Sequence, residues 1–398
     1  MLVSMSNNNK TDKKLVDQSR YRKLVRVHKQ RVFLTTCLIL LFVAGIIMVC
    51  YISYVNQSYT GYEVISTVEQ KHTDNSNILN YGTCFLSYSA DGIRCTDERG
   101  NDVWSCPYEM QNPMVRVHGD YVAVADYVGR TIYVFNKSGE LGSIQTNLPI
   151  QNIEISGNGV VAVVLDDGDV TPIRLYYYDG REVATFRTTM SKSGYPLDVG
   201  LSSDGKLVAV SYLYLDNGVL TSRVAFYNFG EVGQNKTDNL VGGYDYQNEA
   251  VPLVGFMNNA TAFAVANDRL MFYKGSERPT NAGDILLKEE IRSVYYGEEY
   301  IGLTYLNQTG ESKYLMDIYS SSGDLKSSVP IDMEYKYIFF SGDYVIIYNA
   351  SSCMIYHVNG NIKYQGDFEE SVLLMIPTRS TIRYVLVMHD KIQTIVLR

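Results

Sequence analysis

Few strings in this chain match arrangements that do chemistry, and each reads more simply as a turn. Ser203, Asp204, Gly205 and Lys206 form an S-x-x-K string. In acyl-transferring enzymes that spacing places a serine nucleophile and a lysine one turn apart at the start of a helix. Here Asp-Gly lies between two strand-like runs, so the string predicts a hairpin turn with the lysine splayed away from the serine. Asp166, Asp167 and Asp169 surround Gly168. A calcium loop would add alternate oxygen ligands and a closing Glu, so this cluster predicts a solvated turn. His72, His118, His357 and His389 are scattered singly, none within helical or hairpin reach of a second zinc-type ligand. No G-x-S-x-G, P-loop, G-x-G-x-x-G or H-E-x-x-H occurs. The sequence therefore assigns no catalytic, cofactor-binding or metal-ligating residue, and predicts no cofactor.

Cys84, Cys95 and Cys106 recur every eleven residues, with Cys353 far downstream. The spacing places three thiols on successive strands without bringing sulfurs into contact. Three pairings stay open among the four, and buried free thiols are expected.

The elements that must position these residues are short strands. A unit of about 40 residues recurs, with an apolar strand, a Gly or Asp turn, a β-branched second strand and a third strand ending in aromatics. Its second and third strands read YVAVADY with TIYVFNKSG, VVAVVLD with IRLYYYDG, and so on through RYVLVMH with IQTIVLR. Eight units can be counted, their first strands beginning near Ile78, Val115, Ile153, Val199, Leu253, Ile291, Tyr337 and Val372. The alternation and the Gly turns predict an all-β propeller of four-stranded blades over residues 77–398, eight blades preferred and seven the nearest alternative. The last unit stops after its third strand, while an orphan strand, Tyr62–Glu69, lies in a linker at 56–76. Pairing the two would close the ring.

Ahead of the repeats, Val32 to Val55 carries no charge and follows an arm, residues 1–31, with nine Lys and Arg against Asp12 and Asp17. A helix of this length crosses a hydrocarbon layer, and basic residues collect on the cytoplasmic flank. Lys71 is the first basic residue beyond the run. The pattern predicts a single-pass signal-anchor at 32–55, the arm cytoplasmic and the C-terminal domain extracytoplasmic in the cell membrane. The long charged arm and the lack of a small-x-small site after Cys50 disfavour a cleaved signal. Cys37 and Cys50 read as membrane-embedded apolar side chains. Without the arm, 26 basic residues face 41 acidic ones, a balance of −15, which excludes nucleic acid and other polyanions as bulk-charge partners. The chain does not fix an oligomeric state.

The central stretch SSDGKLVAVSYLYLDNGVLTSRVAFYNF (Ser202 to Phe229), with VGGYDYQNEAVPLVGF (Val241 to Phe256) and DRLMFYKG (Asp268 to Gly275), resembles an uncharacterised bacterial family, domain of unknown function 5711. The resemblance runs from about residue 35 to the end and implies a single-pass protein with an extracytoplasmic propeller-like domain. It brings no catalytic residues to carry over. A bacterial host makes the Asn-x-Ser/Thr strings at Asn56, Asn136, Asn235, Asn259, Asn307 and Asn349 incidental products of Asn-rich turns rather than glycan acceptors. ERGNDVWS (Glu98 to Ser105) is similar to a quinoprotein blade ending, but that group uses a tryptophan in nearly every blade, and Trp104 is alone here.

Two function classes follow. One is a binding or scaffold module for an envelope protein, peptide or glycan. The other is an extracytoplasmic hydrolase or lyase with its site in the propeller funnel, disfavoured by the lack of a His-rich or acid-rich inner-strand signature.

Overall fold

The computed structural model describes residues 4–70, 76–168, 170–189, 194–287, 289–308, 310 and 312–398. Lys71, His72 and Asp169 lie outside them. The chain divides into two compact units, Met1–Gln57 and Ser58–Arg398.

The first unit is a continuous helix, Ser4–Val55. Its apolar part, His28–Cys50, is 23 residues long. At the helical rise that spans about 35 Å, enough to cross a membrane. Phe33, Leu34, Leu41 and Phe42 are all exposed. Thr35 and Thr36 turn their hydroxyls back onto the carbonyls of Arg31 and Val32, at 2.9 and 2.8 Å, so their polar atoms are satisfied within the helix.

The second unit consists of eight four-stranded antiparallel sheets. In seven of them the four strands follow one another in sequence, and the first strands of several neighbouring sheets touch. These innermost strands are Asn77–Tyr81, Pro113–His118, Ile150–Ile155, Tyr195–Leu201, Leu253–Asn258, Ile291–Tyr296, Tyr337–Ser341 and Leu374–Pro377. The result is an eight-bladed propeller.

Its core is a set of layers between blades, because each second strand buries both of its faces. Val122 and Val124 turn toward blade one, where they join Leu86 and Ile93. Ala123 and Ala125 turn toward blade three and join Ile153 and Val163. Continuous β-branched runs such as Val161–Leu165 are the sequence mark of such two-sided burial. Among the described residues each pair of neighbouring blades shares one such cluster, and the smallest joins blade eight to blade one: Phe85, Leu374, Ile376, Val385, Val387 and Ile392.

That thin layer is reinforced by strand pairing. Tyr62–Glu69 lies antiparallel on the last strand, Lys391–Leu397, from Tyr62↔Leu397 to Glu69↔Lys391, and supplies the fourth strand of blade eight. Beyond the ladder, the Thr60 and Gly61 amides donate to the Arg398 carbonyl at 3.1 and 3.0 Å. The Tyr59 amide donates to the Lys363 carbonyl of blade seven at 2.7 Å, and the Tyr62 hydroxyl accepts from the Glu369 amide. One segment thus ties the start of the ring to both of its last blades.

Deleting Tyr62–Glu69 leaves the Lys391–Leu397 edge unpaired, and the melting temperature should fall by about 10 °C or more. Scanning calorimetry on the full chain checks this, and unchanged melting would contradict it.

Candidate functional site

Strand register makes the innermost strands comparable. Opposite equivalent second-strand residues stand Arg116 (with Ala123), Glu154 (Ala162), Gly200 (Ala209), Gly255 (Phe263), Tyr295 (Gly302), Phe339 (Ile346), Ile376 (Val385) and Leu79 (Leu86). In blades six, seven, eight and one this position packs an apolar or aromatic side chain into an inter-blade cluster. Blades two and three place a charged pair there. Blades four and five place nothing.

Arg116 Nε donates to Glu154 Oε1 at 2.9 Å, Nη2 to Asn152 Oδ1 at 3.2 Å, and Nη1 to the Val115 carbonyl at 3.3 Å. In blade four, Asp198 Oδ2 accepts the Val254 amide of blade five at 3.0 Å. The two glycines allow blades four and five to approach: a Cβ on Gly200 would stand 2.9 Å from Gly255 Cα. A Cβ on Gly255 would stand 2.8 Å from the Phe263 ring, so the glycine leaves room for that ring, and Tyr296 lies 4.6 Å from Phe263. Arg116, Glu154, Asp198, Gly200, Gly255 and Tyr296 line one cavity of about 560 Å³.

Water reaches this cavity although protein surrounds it. The side chains of Arg116 and Glu154 keep 39% and 28% of their accessibility, and Tyr296 keeps 47%. Being enclosed still penalises charge. Burial raises Glu154 to about 7 against the opposing pull of Arg116, and the nearby Asp198 adds to the rise. Burial likewise raises Asp198 to about 6, although the amides of Val254 and Val199 and the charge of Arg116 act against it. The Tyr296 phenol is pushed up first by burial, then by Glu154 and Asp198. Both carboxyls therefore change charge near neutrality, the range useful to an acid, a base or a pH-sensitive binder.

At one mouth, where first strands turn into second strands, His118 Nε2 sits 3.0 Å from Ser203 Oγ, across blade three. Gly157 makes this contact possible, because a Cβ there would stand 2.8 Å from that oxygen. Burial lowers the His118 pKa while the charge of Glu298 opposes. The same rim is stitched blade to blade: Tyr81 Oη to the Asp120 carbonyl at 2.6 Å, Asn158 Nδ2 to the Asp204 carbonyl at 2.9 Å, the Asp204 amide to Asn259 Oδ1 at 2.8 Å, and Asn258 Nδ2 to the Glu298 carbonyl at 3.1 Å. The His118–Ser203 contact belongs to this series of clips.

The structure places the residues singled out by sequence as follows. Ser203 to Lys206 is a turn in which Lys206 Nζ faces Asp204 Oδ2 at 3.5 Å while Ser203 meets His118 instead. Asp166 caps its own turn through the Gly168 amide at 3.0 Å and accepts from Gln151 Nε2 at 2.9 Å. All six cysteines are free, and Cys353 Sγ lies 3.6 Å from Met375 Sδ. Trp104 stacks on Phe135 of blade two at 4.9 Å, sealing a blade interface. Asn136 and Asn349 accept amides of their own turns at 2.8 Å, the ordinary use of Asn there. The inner-strand acids were missed, because Glu154 and Asp198 stand alone in their own segments. Aligning the innermost strands on Ala123, Ala162 and Ala209 shows Arg, Glu and Gly at a position that is apolar or aromatic in blades six, seven, eight and one.

The profile of the family of unknown function DUF5711 matches residues 55–397. The chain belongs to this family. Among solved structures, this DUF5711 member is similar in fold to Sqt1 from Chaetomium thermophilum, with TM-score 0.51 and 11% identity over 85% of this chain and 97% of that one. BamB from Moraxella catarrhalis aligns over 85% of this chain and 100% of that one, with TM-score 0.48 and 12% identity. The Neurospora crassa Pan2 WD40 domain aligns over 72% and 88%, with TM-score 0.43 and 9% identity. No curated protein matches the sequence.

The raised carboxyls set a pH dependence. The folded chain holds their protons more tightly than the unfolded chain does, so it binds more protons between about pH 4 and pH 7, and stability falls as pH rises through that window. Asp198→Asn keeps the acceptor for Val254 and removes the titration. Its melting temperature should match wild type near pH 4 and exceed it by a few degrees at pH 8, and a gap independent of pH would contradict the assignment.

Proposed function

We propose that this protein is a single-pass, membrane-anchored binding module whose propeller faces outside the cell and takes an envelope glycan into its funnel. In this reading residues 1–31 are a cytoplasmic basic arm, 32–55 the anchor, 56–76 a linker containing the closing strand, and 77–398 the propeller. The exposed apolar helix and the basic residues preceding it support the anchor and its orientation.

One observation carries the ligand class. At a ring position that half of the blades fill with apolar side chains, blades two to five supply a guanidinium, a carboxylate and two glycines, with Asp198 and Tyr296 lining the same cavity. Guanidinium and carboxyl groups match the paired donors and acceptors of sugar hydroxyls. An open tyrosine ring matches the C–H face of a pyranose. A cavity of about 560 Å³ has room for a ligand of two or three sugar units.

The pair Glu154 and Asp198 also favours a second reading. Two carboxyls of unequal proton affinity on one cavity are the equipment for glycoside cleavage.

A panel of envelope oligosaccharides tested against the full chain in detergent, with products followed by mass spectrometry, examines both readings. Binding that weakens about tenfold or more in Arg116→Met and Tyr296→Ala supports the funnel. Product formation abolished by Glu154→Gln selects the enzyme. Capture of an envelope protein or peptide unaffected by these substitutions would overturn the glycan reading.

A further inference from the structure

Within the glycan reading, on which this step rests, the funnel's charges do not balance. Arg116 is the one guanidinium or ammonium side chain lining the cavity among the described residues, and it is already engaged by Glu154, Asn152 and the Val115 carbonyl. The acids around it are Glu154, Asp198 and, at the mouth, Glu298, while burial disfavours the charged form of His118. Asp198 receives backbone amides and makes no ion pair among the described residues. The Tyr296 hydroxyl, on a ring beside Phe263 that stays open to water, has no hydrogen-bond partner among the described residues. Asp198 and Tyr296 thus line the cavity without a charged donor of their own among the described residues.

We propose that the ligand fills this vacancy with a primary ammonium, so that the glycan taken by the funnel is an amino sugar oligomer lacking its N-acyl groups, its nitrogen seated between Asp198, Glu154 and Tyr296. An ammonium is compact and carries three donors in a trigonal fan, and Glu154, Asp198 and Tyr296, from blades three, four and six, line the same cavity. It also supplies the positive charge that this wall lacks, which makes ionisation of both carboxyls favourable. An N-acyl group would remove the charge and add bulk where the acids converge. A uronic acid or a phosphorylated sugar would bring a further negative charge to three acids and to an exterior with a balance of −15.

Isothermal titration of the full chain in detergent, with the β-1,4 hexamer of glucosamine and its fully N-acetylated counterpart, tests the proposal. At pH 7 the free-amine hexamer should bind about tenfold more tightly. That preference should vanish in Asp198→Asn and shrink in Tyr296→Phe, with melting at pH 4 confirming that both variants fold. At pH 5, where the carboxyls are protonated, affinity for the free-amine hexamer should fall. Equal binding of the two hexamers, tighter binding of the acylated one, or binding of neither overturns the inference. The glycan reading survives those results if the envelope panel still binds through Arg116 and Tyr296. A hexalysine peptide that binds in place of any glycan sinks both.

Discussion

The antiparallel pairing of Tyr62–Glu69 with Lys391–Leu397 is the constraint on which the rest of the propeller depends. A ring of eight sheets has eight interfaces, and none can be lost without giving the remaining blades two free ends. Most are held by extensive apolar layers, as between blades seven and eight, where Tyr348, Ile355, Met375 and Leu386 are fully or almost fully buried. The interface between blades eight and one has the smallest layer and bridges the widest separation in sequence. Backbone hydrogen bonds are directional and saturable, so a strand laid across the seam fixes register as well as proximity. The polar wall inherits its geometry from this closure, since Arg116, Glu154 and Asp198 converge only while their blades are held around one axis.

That wall is stable for a reason its neighbours make visible. Replacing an apolar residue by Arg or Glu in an inter-blade layer leaves a charge that must find a partner or neutralise. Arg116 and Glu154 pair across blades two and three, and Asn152 takes a second guanidinium nitrogen. Gly200 and Gly255 remove side chains where blades four and five meet, and the space they leave is taken by the Gly255 backbone and the Phe263 ring. A solution aimed at stability alone would have repeated the apolar residues found at Phe339 and Ile376. Departure from the repeat marks a position given over to something other than packing.

The repeats were legible because strand physics acts over a few residues. Runs such as Tyr121–Asp126 and Val161–Leu165 announce two-sided burial, and Gly turns punctuate them, so the all-β class and the eight-blade count could be read directly. The sequence also left one strand without a sheet and one sheet without a strand, and the fold pairs them. The site was not legible, because its chemistry is assembled across blades. Arg116 and Glu154 lie 38 residues apart, and His118 and Ser203 lie 85 apart. Ser203 drew attention through its spacing to Lys206, yet the lysine faces Asp204 and the partner of Ser203 comes from blade two. Single inner-strand charges look like ordinary strand residues until register places them side by side.

Hydrogen exchange on the native full chain measures the closure most directly. If the seam is part of the cooperative ring, the amides along Tyr62–Glu69 that pair with Lys391–Leu397 open with the same free energy as those of Val385 and Leu386 inside blade eight. Fast exchange confined to Tyr62–Glu69, with blade eight and the funnel strands still protected, would show that the ring holds without its closing strand and would contradict the account.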